Sequence, residues 1–263
     1  MNEPRFPVVF GICLDAEAIW LAINPANQAR PAHLSHGTFE IREGLAALLS
    51  LLRKHDVPAT FFVPGMTARR YPDAVRLIAD HGHELGSHSE THRSPIGLSF
   101  EEERQELRLG IEAIETLTGA RPCTWRSPSW DWSDHTLDLL LAEGVTVSTN
   151  FHDSVAPYRH QQDGRPLPLV ELPVQWHLAD APYFIHGGRM ERVIRSSAEV
   201  ERIWLEEFEG SYHWPGAFFH LTLHVQLIAM PGRLRMLDRL IATLKRHPRT
   251  EFMTSATLAA RVP

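Results

Sequence analysis

The chain has 263 residues, 43% of them hydrophobic and 22% charged, with a formal net charge of −6. This length and composition predict one large globular domain, spanning residues 1–263, that buries a full hydrophobic core without needing disulfide bonds to stabilise it. The negative charge, with no cluster of Lys and Arg, argues against nucleic acid and membrane surfaces as partners.

The two cysteines, Cys13 and Cys123, both lie in apolar surroundings, which does not indicate a disulfide framework. The N-terminal segment lacks a basic stretch followed by a long apolar run, so we expect no signal peptide. No apolar run approaches the roughly 18 residues of a membrane span. We therefore expect a cytoplasmic protein, and a homo-oligomer.

Apolar runs alternate along the chain with segments of helical period, and loops separate them. In the first part of the chain the pattern predicts a strand at 8–14, a polar loop through Asn24, Pro25 and Pro31, a helix at 43–54, a strand at 59–65, a helix from Pro72 to Gly82 and a strand at 83–88. The middle part is predicted to contain a helix from a capping box at Ser99 and Glu102 to about Thr118, a strand at 123–128, a helix at 133–143, a strand at 145–149, a loop at 150–168 and a strand at 169–176. The last part is predicted to contain an irregular segment at 177–195 with the character of a lid, a helix at about 197–209, a strand at 217–224, a helix carrying Leu234 and Leu244, and a strand at 251–255.

Strands that alternate with helices indicate parallel βα units. Seven or eight such units in this length predict an α/β fold, a closed or nearly closed (β/α) barrel in a single domain. An open doubly wound sheet is the alternative. The sequence has no glycine-rich phosphate loop, so a nucleotide site is not indicated.

Five polar residues follow or end predicted strands, where barrel enzymes keep their chemistry. They are Asp15, His88, His92, Arg126 and His224. Two imidazoles and one carboxylate make a facial metal site with positions left open, so Asp15, His88 and His92 are candidate ligands. The histidine pair is not a zincin helix, because Ser89 stands where that motif has Glu.

Each candidate also has a plain structural interpretation. Asp15 is a possible helix N-cap, and the two histidines fit a capped loop with partly buried rings. Arg126 could pair with a surface acid, and His224 could be a core histidine. The tryptophans Trp130 and Trp176 are candidate substrate contacts, although packing is the favoured interpretation of any single tryptophan. His83 precedes its strand, so we expect it at the opposite end of the barrel.

Several separate motifs, in order and spacing, carry a resemblance over nearly the whole chain: LDAEAIW, ATFFVPG, GHELGSHSETH, TWRSPSWDWS and LTLH. They resemble the polysaccharide deacetylases with the NodB homology domain, in particular the subgroup that contains Helicobacter-type peptidoglycan deacetylase, cyclic imide hydrolases and the metal-independent allantoinase. The resemblance implies a distorted (β/α) barrel, NodB-like, and hydrolysis of amide C–N bonds.

The resemblance also implies roles for residues. Asp15, His88 and His92 would bind a divalent ion, zinc first, with manganese or cobalt as alternatives. Arg126 would orient the general base, and His224 would protonate the leaving amine.

The chain departs from the family pattern at the base, because Cys13 stands where the family has Asp. A thiol near pKa 8.5 is a poor base at neutral pH. Glu17 is the nearest carboxylate in sequence, although a solvent-facing loop position is the favoured interpretation. Cys13 as a covalent nucleophile is the weaker option.

Three functions therefore stay open. The first is a metal-dependent hydrolase of a non-peptide C–N bond in a small-molecule or sugar amide, a cyclic imide or an N-acetyl group. The second is a catalytically impaired relative that binds a ligand or partner, which the cysteine supports. The third, weaker because all three ligand positions are retained, is a metal-independent amidohydrolase of a ureide.

Overall fold

The computed structural model describes residues 4–186 and 193–263. One sheet contains the strands of this part of the chain, which are β1 (Phe6–Cys13), β2 (Thr60–Val63), β3 (Glu84–Ser87), β4 (Thr124–Trp125), β5 (Val147–Ser148), β6 (Tyr158–Gln162), β7 (Arg165–Glu171), β8 (Phe219–His224) and β9 (Thr250–Met253).

Helices cover the outside of the sheet and connect its strands. They are α1 (Ala18–Ile23), α2 (Pro31–Phe39), α3 (Leu45–Lys54), α4 (Gly65–Arg70), α5 (Pro72–Asp80), α6 (Phe100–Thr118), α7 (Thr136–Ala142), α8 (Ala181–Phe184), α9 (Ser197–Tyr212), α10 (Val225–Ile228), α11 (Pro231–Leu244) and α12 (Ser255–Ala259). The capping box predicted at Ser99 is present at the start of α6, and Gly119 ends that helix with φ 72°.

The strands run in the order β6-β7-β5-β4-β3-β2-β1-β8, and β9 pairs with the first half of β1. Every pairing is parallel except β6 with β7. The segment that follows β7 returns to β8, where Ala179 bridges Thr222. The sheet is therefore curled, and the predicted distorted (β/α) barrel is confirmed over the open doubly wound alternative.

β1 is the central strand of the core. Its apolar side chains, Val8, Phe10 and Ile12 among them, are fully buried, and its three neighbours are β2, β8 and β9. Burial on both faces is expected of parallel strands that helices cover. This position places the end of β1, and the residues after it, in the middle of the carboxyl edge of the sheet.

The polar loop predicted after β1 is wrong, because that segment is helical. α1 is followed by a 3₁₀ turn at Pro25–Ala29 and by α2, and a π-helical turn at Glu40–Gly44 joins α2 to α3. Pro25 and Pro31 occupy the first positions of their helical segments, where the missing N–H is not needed. The prolines therefore begin helical turns here instead of marking a loop.

The loop predicted at 150–168 is also wrong, since it contains β6 and the start of β7. Asp163 and Gly164 connect the two strands, with φ 51° and 74°. Two consecutive residues with positive φ make the tight turn that an Asp-Gly pair favours in a hairpin. In the segment predicted as an irregular lid, the structure has a 3₁₀ turn at Trp176–Leu178 and α8, while residues 187–192 lie outside the described residues.

Candidate active site

The five polar residues that the sequence places at strand ends lie at one edge of the sheet. Asp15 follows β1, His88 and His92 follow β3, Arg126 follows β4, and His224 ends β8. Parallel neighbours hold these strands in register, with Cys13 beside His224 and Ser87 beside Trp125. The structure therefore brings all five together at the carboxyl edge, as predicted.

Asp15 is the centre of this group and is 0% exposed. The Nε2 atoms of His88 and His92 each lie 3.8 Å from its Oδ1, and Nε2 of His224 lies 3.9 Å from its Oδ2. Neither carboxylate oxygen of Asp15 has a hydrogen-bond partner within the described chain. Buried carboxylates without partners are costly, so this donor set fits a divalent cation.

His88 is oriented by its second ring nitrogen. Its Nδ1 donates to the carbonyl oxygen of Arg126 at 2.7 Å, which leaves Nε2 with a lone pair on the side of Asp15. Burial, and then the neighbouring His92, lower the pKa of His88 well below its usual range. A neutral imidazole fixed by a backbone carbonyl is the form that binds a metal.

The loop that carries both histidines has an uncommon backbone, because Ser89 and His92 both have φ 61°. Glu106 of α6 holds this loop. Its carboxylate accepts hydrogen bonds from the backbone N–H of Glu90 at 3.2 Å and of Thr91 at 2.8 Å, and from the Thr91 hydroxyl at 2.7 Å. Glu106 therefore positions the histidines without touching them.

The turn after β1 is held by a carboxylate that the sequence did not suggest. Ala16 has φ 50°, and its N–H donates to Oε2 of Glu40 at 2.6 Å, while the hydroxyl of Thr67 donates to the carbonyl of Asp15 at 2.8 Å. Glu40 is buried and its Oε1 has no partner among the described residues. Burial and then the charge of Asp15 raise the pKa of Glu40 well above its usual range.

Arg126 is fully enclosed, which contradicts a pairing with a surface acid. Its Nε donates to Oγ1 of Thr149 at 2.9 Å, its Nη1 to the carbonyl of Gly11 at 3.2 Å, and its Nη2 to Nε2 of His220 at 3.1 Å. Nη1 also lies 3.7 Å from Sγ of Cys13. Within the described residues no carboxylate forms an ion pair with this guanidinium.

His224 has a carboxylate partner, Asp180, which the sequence reasoning missed. Nδ1 of His224 donates to Oδ1 of Asp180 at 2.6 Å, and the backbone N–H of His224 donates to Oδ2 at 2.8 Å. Burial opposes the charged ring, but the Asp180 carboxylate outweighs it and the pKa of His224 is raised well above its usual range. Asp180 lies in the stretch predicted to be irregular, where nothing in the pattern set it apart.

A cavity of about 240 Å³ opens beside these residues, and Cys13, His88, His92, Arg126 and His224 contribute to its wall. The outer wall contains the two tryptophans predicted to contact substrate. The rings of Trp130 and Trp176 lie 4.4 Å apart between centroids, and Trp176 is 50% exposed. Ser129 and Trp130 have φ 59° and 58°, so this wall has a backbone that few side chains adopt without a constraint.

The comparisons with known proteins agree with this architecture. The family model for polysaccharide deacetylase matches residues 34–148. A solved structure from Mycobacterium smegmatis, described as a polysaccharide deacetylase, is similar over 100% of this chain and 92% of that one, with 33% identity and a TM-score of 0.93. This chain belongs to the polysaccharide deacetylase family. The family hydrolyses C–N bonds other than peptide bonds.

Two further relatives of this deacetylase-family chain cover most of its length. The peptidoglycan deacetylase of Helicobacter pylori is 28% identical over 96% of this chain and 94% of its own. The structure of Puue allantoinase is 21% identical, covers 98% of this chain and 93% of that one, and has a TM-score of 0.83. At that identity the allantoinase shows the fold alone.

Cys13, the residue that the resemblance aligns with a catalytic base, ends β1 and lines the cavity. It is 2% exposed, and its Sγ, a carboxylate oxygen of Asp15 and a ring nitrogen of His88 all lie within 4.8 Å of one another.

Glu17 is not among the residues that line the cavity. Its Oε1 accepts a hydrogen bond from the hydroxyl of Tyr71 at 2.6 Å, and it is 5% exposed, so the expectation that it faces solvent is wrong.

His83 lies at the other edge of the sheet, before β3, where Nδ1 faces the backbone N–H of Ala59 at 3.2 Å. Burial, and then the charge of His81, lower its pKa to about 4. This location agrees with the structural role predicted for it.

Among the described residues of this deacetylase-family protein, we find no helix with the length and apolarity to cross a membrane.

Proposed function

We propose that this chain is a metal-dependent hydrolase of a C–N bond other than a peptide bond, acting on a compact amide, imide or N-acetyl group. The observation that carries the proposal is Asp15, a fully buried carboxylate with three histidine Nε2 atoms within 3.9 Å and no hydrogen-bond partner for either oxygen among the described residues. The cavity beside it gives a substrate access to this group.

Asp15, His88 and His92 would hold the metal ion, with zinc favoured by two imidazoles and one carboxylate. A divalent ion in such a site lowers the pKa of a water molecule and polarises a carbonyl oxygen. The chain prepares this set by fixing the Nδ1 of His88 on a backbone carbonyl and by holding the histidine loop on Glu106.

His224 is placed to supply a proton to the leaving nitrogen. Its Nδ1 is bound to Asp180, which keeps the ring oriented and favours the imidazolium, and its Nε2 faces the side of Asp15. An acid whose pKa is raised and that borders the cavity fits the protonation of an amine or amide leaving group. Asp180 therefore acts on the substrate only through His224.

Arg126 contributes positive charge beneath the cavity. Its guanidinium is fixed by three hydrogen bonds and lies over the ring of Phe62 at 4.1 Å from the centroid, so it cannot swing toward the substrate. Burial, with no ion pair to another described residue, makes this charge strong at short range, and it favours negative charge that develops next to Cys13.

The size and lining of the cavity support a compact substrate. Its volume of about 240 Å³ is below the range of roughly 300–1,000 Å³ that drug-sized ligands occupy. Trp130 and Trp176 present flat apolar faces that suit a planar ring or a sugar face. A small imide or ureide, or the N-acetyl group of a sugar that stays outside, fits this space.

The test is turnover of a panel of cyclic imides, ureides and N-acetyl compounds by metal-free protein and after addition of Zn, Mn or Co. We expect metal-dependent turnover of at least one class, reduced on the order of 100-fold or more by Asp15→Asn. The control is His81→Ala, a histidine at the opposite edge whose Nδ1 contacts the Leu77 carbonyl. Turnover that is equal without metal would contradict the proposal and favour a metal-independent ureide hydrolase.

Cys13 favours a second candidate, a relative that binds its ligand without turnover. The buried guanidinium of Arg126 has a thiol beside it where a carboxylate base would be expected. If this candidate is correct, no compound of the panel is hydrolysed by the native chain, and Cys13→Asp gains activity. A native activity that Cys13→Asp lowers would contradict it.

A further inference from the structure

We infer that Cys13 is a fourth metal ligand, so that this chain binds its ion through Cys13, Asp15, His88 and His92. The inference rests on the proposed function for the presence of the ion, and it assigns to the cysteine a role other than that of a lost base. The site would then hold one thiolate, one carboxylate and two imidazoles.

The positions of the donor atoms support this assignment. Sγ of Cys13, a carboxylate oxygen of Asp15 and a ring nitrogen of His88 lie within 4.8 Å of one another, and all three residues are buried. Nε2 of His92 lies 3.8 Å from the Oδ1 of Asp15 that also faces His88. Cys13 ends β1 and Asp15 is two residues further, so both donors come from the rigid centre of the sheet.

The second observation is the unpartnered state of Asp15. Its two oxygens are buried and have no hydrogen-bond partner among the described residues, and one of them lies within 4.8 Å of the sulfur. The cluster therefore has the carboxylate that a cation would neutralise. A cysteine alone would not indicate a site, because buried free cysteines are common. The sulfur, the Asp15 oxygen and the His88 imidazole, with His92 beside the same carboxylate, are donors of the types that bind zinc.

Arg126 fits a metal-bound sulfur better than a free thiol. Nη1 lies 3.7 Å from Sγ, and the guanidinium has no carboxylate partner among the described residues. On binding, the S–H bond breaks, the proton leaves to solvent, and a sulfur–metal bond forms without any change of oxidation state. The buried arginine would then have an anionic neighbour.

The fourth ligand would change which metal binds and how. Thiolates select zinc and cobalt over the harder manganese, whereas a carboxylate in the same place would favour manganese. A site with four protein ligands also leaves fewer open positions than a facial triad. We therefore expect Cys13→Asp to shift metal preference toward manganese.

Cobalt titration of the metal-free full-length chain tests the inference, because cobalt bound to sulfur has an intense near-ultraviolet charge-transfer band that oxygen and nitrogen ligands do not produce. We expect this band in the native chain. Cys13→Ser should lose it and bind zinc roughly tenfold or more weakly. Cys123→Ser is the matched control, because Cys123 precedes β4 at the opposite edge, and this variant should retain the band.

The spectrum of the native chain separates the two proposals and does not depend on whether a variant folds. Cobalt that binds with visible ligand-field bands but without the sulfur band would overturn the role of Cys13 and leave the proposed metal site intact. A native chain that binds no cobalt would overturn both. A sulfur band that persists in Cys13→Ser would also overturn the assignment.

Discussion

Gly11→Ala should destabilise the protein, because Gly11 gives Arg126 the space in which it lies. A Cβ on Gly11 would lie 2.4 Å from Nη2 and 3.0 Å from Cζ of Arg126, whereas ordinary contacts begin near 3.4 Å. The guanidinium cannot move aside without breaking its hydrogen bonds to Thr149 and His220. The clash and the loss of one buried charged hydrogen bond each cost about 1–3 kcal/mol.

Alanine loses less backbone entropy than glycine in a strand, which offsets about 0.5–1 kcal/mol of this cost. We expect a net loss of about 1–5.5 kcal/mol in the free energy of unfolding, measured by urea denaturation with the slope checked against wild type. The matched control is Gly210→Ala, in the last turn of α9, where an added Cβ meets no atom of the described residues within 4 Å. It should gain up to about 1 kcal/mol. A Gly11→Ala protein as stable as wild type would refute the placement of Arg126 against β1.

Three further predictions use the same structure. In the metal-free protein Asp180→Asn should lower the pKa of His224, which is raised in the native chain. The stability advantage of wild type over this variant is therefore largest below about pH 6.5 and shrinks as the pH rises through the raised pKa. NMR titration of the ring measures the pKa, and denaturation at several pH values measures the stability difference. Burial raises the pKa of Glu40, so Glu40→Gln should gain stability relative to wild type as the pH rises from 5 to 9, and a difference independent of pH would show that Glu40 is ionised in the fold. Trp176→Ala should raise KM with kcat nearly unchanged and alter stability by less than about 0.5 kcal/mol. The control Trp214→Ala removes a 64% exposed ring away from the cavity and should leave KM and kcat unchanged.

The architecture was largely predictable from the sequence because its signals are local. Buried parallel strands read as apolar runs, and helices α3 and α6 show their period or their cap. The short strands β4 and β5 have two residues each, so their bounds were predicted too long. The hairpin of β6 and β7 was overlooked although Asp163-Gly164 is a turn signal in the sequence.

Only the site residues that directly follow or end strands were predictable from the sequence. Asp15, His88, His92, Arg126 and His224 were found because polar residues directly after buried strands are conspicuous. The carboxylates that hold these residues or the turns beside them were not predicted from the sequence. Asp180 and Glu40 come from a short helix start and a π-helical turn, and their approach to the strand ends depends on tertiary packing that no local pattern encodes.

The central claim is that Asp15, His88 and His92 hold a divalent ion, and the most direct test is zinc stoichiometry. Metal-free protein is loaded with zinc, freed of excess, and analysed for zinc per chain in the native form, His88→Ala and His81→Ala. We expect one zinc per chain in the native form and in His81→Ala, and a loss of zinc in His88→Ala. A native chain without stoichiometric zinc, or a His88→Ala protein that retains it, would contradict the account.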